Sequence, residues 1–236
     1  EVSSRGALAV DGAMHAEKVL IDPVTLRVVA TLSGAAEPAE ITAASVNAIT
    51  GALTLQAERT IIVEAAINKP QGPLTLETTN ATALPGEGIR INRPVTVTGD
   101  LTLLSAGDIF QDATGARVLA GTLFAESRAG AVRLNAGTNV IRALAGGGGA
   151  TGFDVSTTTP LVVDGAITAP LIRLGPTGLL TLNAPLSASN TLLLEALRGT
   201  TQAASGAGIT ANTLQLEAAL GRVSLTGAGN RITTHG

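Results

Sequence analysis

Runs of three to six residues in which apolar and polar side chains alternate recur along the whole chain. Leu53-Thr54-Leu55, Leu74-Thr75-Leu76, Val95-Thr96-Val97, Val132-Arg133-Leu134, Leu180-Thr181-Leu182, Leu214-Gln215-Leu216 and Val223-Ser224-Leu225 are examples. A period of two puts every second side chain on one face, so each run reads as a strand with one buried face. Gly, Asn, Asp or Pro closes each run, and these residues turn a chain at least steric cost. No segment of about 11 residues or more holds the 3.6-residue period of an amphipathic helix.

The short strands recur at a longer period. Leu53, Leu74 and Val95 are 21 apart, while Leu101 to Leu123 and Leu192 to Leu214 are each 22. Shifting the chain by 91 positions aligns 101–145 with 192–236 at 15 identities in 45 positions. Composition alone accounts for about four. The identities include Leu101/Leu192, Gln111/Gln202, Leu123/Leu214, Glu126/Glu217, Val132/Val223, Leu134/Leu225, Asn139/Asn230 and Ile141/Ile232. Because 91 is close to four units of 22 or 23, one coil is expected to hold about 21–23 residues.

Such a coil buries its apolar face only by stacking on the next one. The expected fold is therefore all-β, a right-handed parallel β-helix (β-solenoid) running continuously through 1–236. Its handedness follows the preferred sense of parallel crossovers. About 11 coils at ~4.8 Å each give a rod ~50 Å long. Leu53, Leu55, Leu74, Leu76, Leu123, Val132, Leu134, Leu214, Leu216, Val223 and Leu225 are expected inside, and Thr54, Thr75 and Arg133 outside. Ser33–Glu40 and Asn80–Gly88 are expected to protrude as loops. The stretch 145–152, with its four consecutive glycines, is expected to be a flexible loop, and a division into two domains there is the alternative organisation.

Composition fits a narrow, repeated core. Aromatic residues make up 1% of the chain, with no Trp or Tyr, so Leu, Ile, Val and Ala must fill the interior. A net charge of -3, with 15 Lys and Arg scattered along the chain, gives no basic stripe and argues against nucleic acid as a partner. The chain has no Cys and hence neither disulfides nor thiolate metal sites.

The phrase Ile209-Thr210-Ala211, Leu214, Leu216, Ala218, Gly221, Val223, Leu225-Thr226-Gly227, Asn230, Ile232 resembles the repeats of filamentous-haemagglutinin-type adhesins. These are two-partner-secretion exoproteins, and related autotransporter passengers share the pattern. Earlier versions begin at Ile41-Thr42-Ala43 and Val118-Leu119-Ala120. The resemblance implies a secreted or outer-surface protein, an outer-membrane transporter as partner of the parent protein, and adhesion or display as the purpose. The Asn-Pro motifs of that family's secretion domain are absent, so recognition by the transporter is not assigned to this segment.

Few residues suggest chemistry. Glu195 and Glu217 occupy equivalent positions 22 apart and should stack. Two carboxylates at about 5–5.5 Å suit a retaining glycosidase, and a hard cation could bridge them. Two solvated charges are the plainer reading. Thr54, Thr75 and Thr96, each 21 apart, are spaced like an outward ladder of the kind that orders water, and ordinary exposed strand residues are the plainer reading. Asn139 and Asn230 are expected to be structural, beside turns where Asn tolerates positive φ. Asn80-Ala81-Thr82 is a glycosylation sequon in a predicted loop. Gly149 to Asp154 only partly resembles a calcium nonapeptide and is rejected. His15 and His235 lie at opposite ends, which excludes a triad or a histidine metal cluster.

No catalytic, cofactor or metal site is therefore assigned. The expected function is a non-catalytic stalk or interaction module of a surface adhesin that engages receptors or glycans of host or neighbouring cells. The alternative is a glycan-active β-helix, such as a polysaccharide lyase or tailspike-like hydrolase, for which Lys18 and Lys69 are the only lysines available. An uncovered coil after Ile232 predicts that the parent protein continues with further coils and that this segment self-associates end to end.

Overall fold

A computed structural model describes residues 2–3, 9–10, 18–34, 38–112 and 114–235, in which 24 strands and one helix, Ala43–Ala48, are found. All strand pairing is parallel, and the strands form one β-solenoid of about nine turns. Three faces follow one another along the chain. Face A stacks 67–69, 95–97, 118–120, 140–144, 161–163, 180–182, 200–202 and 222–224, and 143–144 also pair with 122–123 of face B below them. Face B stacks 52–57, 74–78, 100–105, 122–127, 146–149, 167–169, 186–188 and 209–211. Face C stacks 25–29, 60–63, 88–91, 108–111, 131–134, 152–157, 171–176, 191–195 and 213–217.

Coil length varies: the step from Leu144 to its partner Val163 is short, and the step from Leu74 to its partner Leu101 is long. The long coil carries the expected loop at Asn80–Gly88, which moves the partner of Leu74 from Val95 to Leu101. A second excursion leaves the stack near the amino end. The strand Ala39–Thr42 pairs beneath Thr25–Val29, and the helix Ala43–Ala48 follows. Thr42 caps that helix by accepting from the Ser45 backbone N–H at 3.2 Å, and Asn47 Oδ1 accepts from the Asn68 N–H at 2.7 Å, taking the place of a ladder bond. The phrase Ile41-Thr42-Ala43 thus runs into a helix, whereas Val118-Leu119-Ala120 and Ile209-Thr210-Ala211 are strands. These two excursions reduce the expected eleven coils to about nine.

The interior is a column of stacked aliphatic rungs. Leu53, Leu55, Leu74, Leu76, Leu123, Val132, Leu134 and Leu214 are buried, and Arg133 points out. Leu216 and Val223 differ from expectation at 37% and 38% exposed, and Leu225 is partly buried, because no coil of this chain lies over them.

The flexible loop expected at 145–152 is instead strand through Gly149, and only Ala150 and Thr151 turn. Gly146 and Gly147 adopt φ of +122° and +135°, which side chains avoid, and a Cβ on Gly147 would lie 1.8 Å from the Ala125 carbonyl oxygen. Glycine is required there by a bulge and a close backbone approach, as Ala145 interrupts the register between Leu123 and Phe124. Parallel pairing continues on both sides of the bulge at Ala145.

The 91-residue repeat has a structural counterpart that spacing alone did not reveal. Leu192 lies four coils above Ile109 through Ile172, Phe153 and Val132, on face C. Leu101 lies on face B of the Ile109 coil. The shift is therefore four coils plus one face, and the second copy is turned by a third of a coil relative to the first.

Candidate functional site

The two copies share a buried polar clasp. Gln111 Nε2 donates to Asn139 Oδ1 at 2.7 Å, and Asn139 Nδ2 donates to Gln111 Oε1 at 2.9 Å. Gln202 and Asn230 repeat this at 2.6 and 2.9 Å. The backbone N–H groups of Val118 and Ile209 complete the two asparagine oxygens. These asparagines are structural, as expected, but for another reason. Neither has positive φ, and each satisfies backbone groups at a corner. The identities Gln111/Gln202 and Asn139/Asn230 already carried this signal, although the partners within each pair stand a full coil and more apart in sequence.

Glu195 and Glu217 stand on adjacent rungs of face C, as predicted. Glu195 Oε2 accepts from Arg173 Nη2 at 2.5 Å, and Arg173 Nη1 donates to Asp154 Oδ1 at 3.0 Å. Burial works against the charged guanidinium of Arg173, but hydrogen bonds and charge from Asp154 and Glu195 outweigh it and raise its pKa above the usual arginine value. Glu195 is thus held in an ion pair with Arg173. Asn135 Nδ2 donates to the other Asp154 oxygen at 2.7 Å, so that carboxylate is committed as well.

The remaining sequence candidates resolve individually. Thr54 stacks on Thr75, but the third rung is Thr102, followed by Phe124, while Thr96 lies on face A beside Asn68. The expected ladder Thr54, Thr75, Thr96 is therefore not formed, because the 80–88 loop breaks the regular spacing. Lys69 is fully buried and its ammonium donates to the carbonyls of Ile49, Gly51 and Gln71 at 2.6 to 2.7 Å. Burial lowers its pKa below that of a free lysine. It is a core strut and cannot neutralise a substrate. Asn80 is engaged within its loop, donating to Thr82 O and Glu87 Oε2 and accepting from the Thr82 N–H. His15 and the side chains of Lys18 and His235 lie outside the described residues.

The lateral surface carries one feature that the sequence reading missed. Phe110 is 46% exposed on face C, with Arg90 on the rung below and Arg133 on the rung above. Gly86 and Glu87 of the 80–88 loop border the same cleft, and the loop is clasped by Glu87, whose carboxylate accepts from the Leu84 N–H at 2.9 Å, from Asn80 at 3.1 Å and from Arg59 at 2.9 Å. The Leu84 backbone bond, assisted by Asn80 and Arg59, holds the Glu87 carboxyl below its ordinary pKa despite partial burial. A cleft of about 270 Å3 lies between Gly86, Arg90 and Phe110, and a second of about 320 Å3 lies between Leu84, Asp108 and Arg133. A larger cleft of about 610 Å3 on face B has Gly147, Gly148 and Gly149 as its floor.

No family model matches the chain, and neither a curated protein nor a solved structure is significantly similar to it.

Proposed function

We propose that this chain is a non-catalytic structural and interaction module of a secreted or surface-displayed bacterial adhesin, resembling filamentous-haemagglutinin-type repeats. The observation that carries this reading is the parallel stack of about nine turns, whose outward charges are joined between neighbouring coils. Arg27 with Glu40 and Glu64, Arg59 with Glu87, Arg133 with Asp108, and Arg173 with Asp154 and Glu195 all link different rungs. Such pairs hold a rod's sides in register. The engagement of Glu195 and the burial of Lys69 argue in the same direction against the glycan-active alternative.

Self-association with a second copy belongs to the same proposal. Leu214, Leu216, Val223, Leu225 and Ile232 line an open cleft of about 480 Å3. Their counterparts in the first copy, Leu123, Ala125, Val132, Leu134 and Ile141, are fully buried beneath the next coil. Small-angle scattering should give an elongated particle whose length doubles with concentration, and a panel of neutral and acidic glycans should release no reducing ends or unsaturated products. A compact particle, or turnover of any glycan, would refute this reading.

A further inference from the structure

We infer that Phe110, with Arg90 beside it and Gly86 and Glu87 of the 80–88 loop bordering the same cleft, is a lateral binding site for a single carboxylated sugar unit of a surface glycan. This deepens the interaction-module reading by assigning a ligand class to one face. Phe110 is the one exposed aromatic among the described residues whose ring borders a cleft. A flat apolar ring in water suits the C–H face of a pyranose, which stacks without giving up its hydroxyl hydration.

Beside the ring, Arg90 bonds only the Gly86 carbonyl oxygen, at 3.0 Å, and has no carboxylate partner among the described residues. Its remaining N–H groups suit a carboxylate, which a guanidinium binds in a planar fork. Arg133, on the far side of the ring, is held by Asp108 at 3.3 Å and is less free.

The surroundings restrict the ligand. Asp108 borders both clefts, and Glu87 does so with its charge offset by Arg59. Arg133 offsets the charge of Asp108 in the same way. The cleft of about 270 Å3 takes one acidic unit of a chain at a time. The cleft is also preorganised, because the Glu87 clasp fixes the loop before any ligand arrives.

The test uses the full chain and trigalacturonate, with galactotriose as the neutral probe and heparin as the polyanion, followed by NMR shifts of the Phe110 ring and the Arg90 side chain. Trigalacturonate should bind with Kd on the order of 1 mM, as a shallow open site permits. Phe110→Leu should weaken it by about 10-fold, the loss of one stacking contact. Arg90→Gln should abolish the preference over galactotriose, while Arg198→Gln, an exposed arginine elsewhere, should change nothing.

The site is refuted if trigalacturonate at 10-fold higher concentration, roughly 10 mM, shifts neither side chain. It is refuted equally if Phe110→Leu, shown to be folded by circular dichroism, binds unchanged. Equal losses in the Arg90 and Arg198 variants, or tighter binding of heparin through both, would assign the effect to nonspecific charge and overturn the proposal. Unsaturated product at 235 nm would instead refute the non-catalytic reading while leaving the site in place, so the two failures are distinguishable.

Discussion

Residues 101–145 and 192–235 are two versions of the same coil sequence set in different surroundings. The first is buried under further rungs. The second lies at the open end of the stack, one face further round. Each has the Gln–Asn clasp, and each clasp accepts from equivalent N–H groups, Val118 and Ala136 in the first and Ile209 and Gly227 in the second, while the carbonyl partner differs, Leu134 in the first and Ala207 in the second. The clasp is therefore a property of the local sequence, since rotation onto another face leaves it intact, whereas burial of the rungs is a property of what lies above them.

The largest test of that distinction is a charge at one core position in each copy. Leu123→Asp places a carboxylate beneath Leu144 with no polar partner, and it should destabilise the chain by roughly 5 kcal/mol or more, enough to unfold several coils. Leu214→Asp borders the open cleft, where a carboxylate reaches water by a small rotation, and should cost about half as much. Equal loss of the denaturation midpoint in the two variants would mean that the carboxyl end is as closed as the middle.

The clasp comes next. Asn139→Leu orphans the Val118 N–H and the Leu134 carbonyl and leaves Gln111 half satisfied, a loss of roughly 3 kcal/mol at about 1–3 kcal/mol per unpaired buried group. Asn230→Leu should lose about 1–2 kcal/mol, since Gln202 keeps the Ala207 carbonyl and the corner is half-buried. Urea melts of the two variants would decide it. If Asn230→Leu proved the more damaging, the clasp would be holding the open end shut and not merely closing a corner.

This comparison also shows what was legible beforehand. Alternation and turn residues identified the strands, and the coil core of Leu53, Leu74, Leu123 and Val132 followed, because inward positions in a stack tolerate only aliphatic side chains. The 91-residue identity was visible, but its meaning as four coils plus one face was not. Spacing in sequence does not distinguish a full turn from a turn and a third when coils differ in length as much as Leu144 to Val163 and Leu74 to Leu101 do. The glycine run was misread because a glycine needed for positive φ and close approach, as at Gly147, looks the same in sequence as one left in a loop. The Phe110 platform was not legible either. Its neighbours Arg90 and Arg133 are each a whole coil away along the chain and meet it only through the ladder.

A smaller effect tests where the copies differ in sequence. Thr200 occupies the inward position that Ile109 fills in the first copy, and its hydroxyl is buried without a partner. Thr200→Val keeps the shape and removes the unpaired polar atom, so it should raise stability by about 1 kcal/mol. Ile109→Thr, the reverse change, should lower it by more, since the rung above Ile109 is the fully buried Val132, whereas the rung above Thr200 is the half-exposed Val223. Calorimetry on both variants measures the pair. Loss of stability in Thr200→Val would show that the hydroxyl has a partner in solution.

The finest contrast lies in one turn residue. Gly115 and Gly206 are equivalent in the repeat, yet Gly206 sits at φ +81° while Gly115 does not have positive φ. Space is not the difference. An added Cβ meets nothing within 4 Å at Gly206 and only the end of Arg93, at 3.7 Å, at Gly115. Gly206→Ala must therefore force an L side chain into a dihedral region it avoids and should cost about 1 kcal/mol. Gly115→Ala meets no such strain, and by restricting the unfolded chain it should be neutral or stabilise by up to about 0.5 kcal/mol. Opposite signs in paired thermal melts would show that the two corners have diverged in backbone while keeping the same clasp. Equal costs would mean that both corners share one turn in solution.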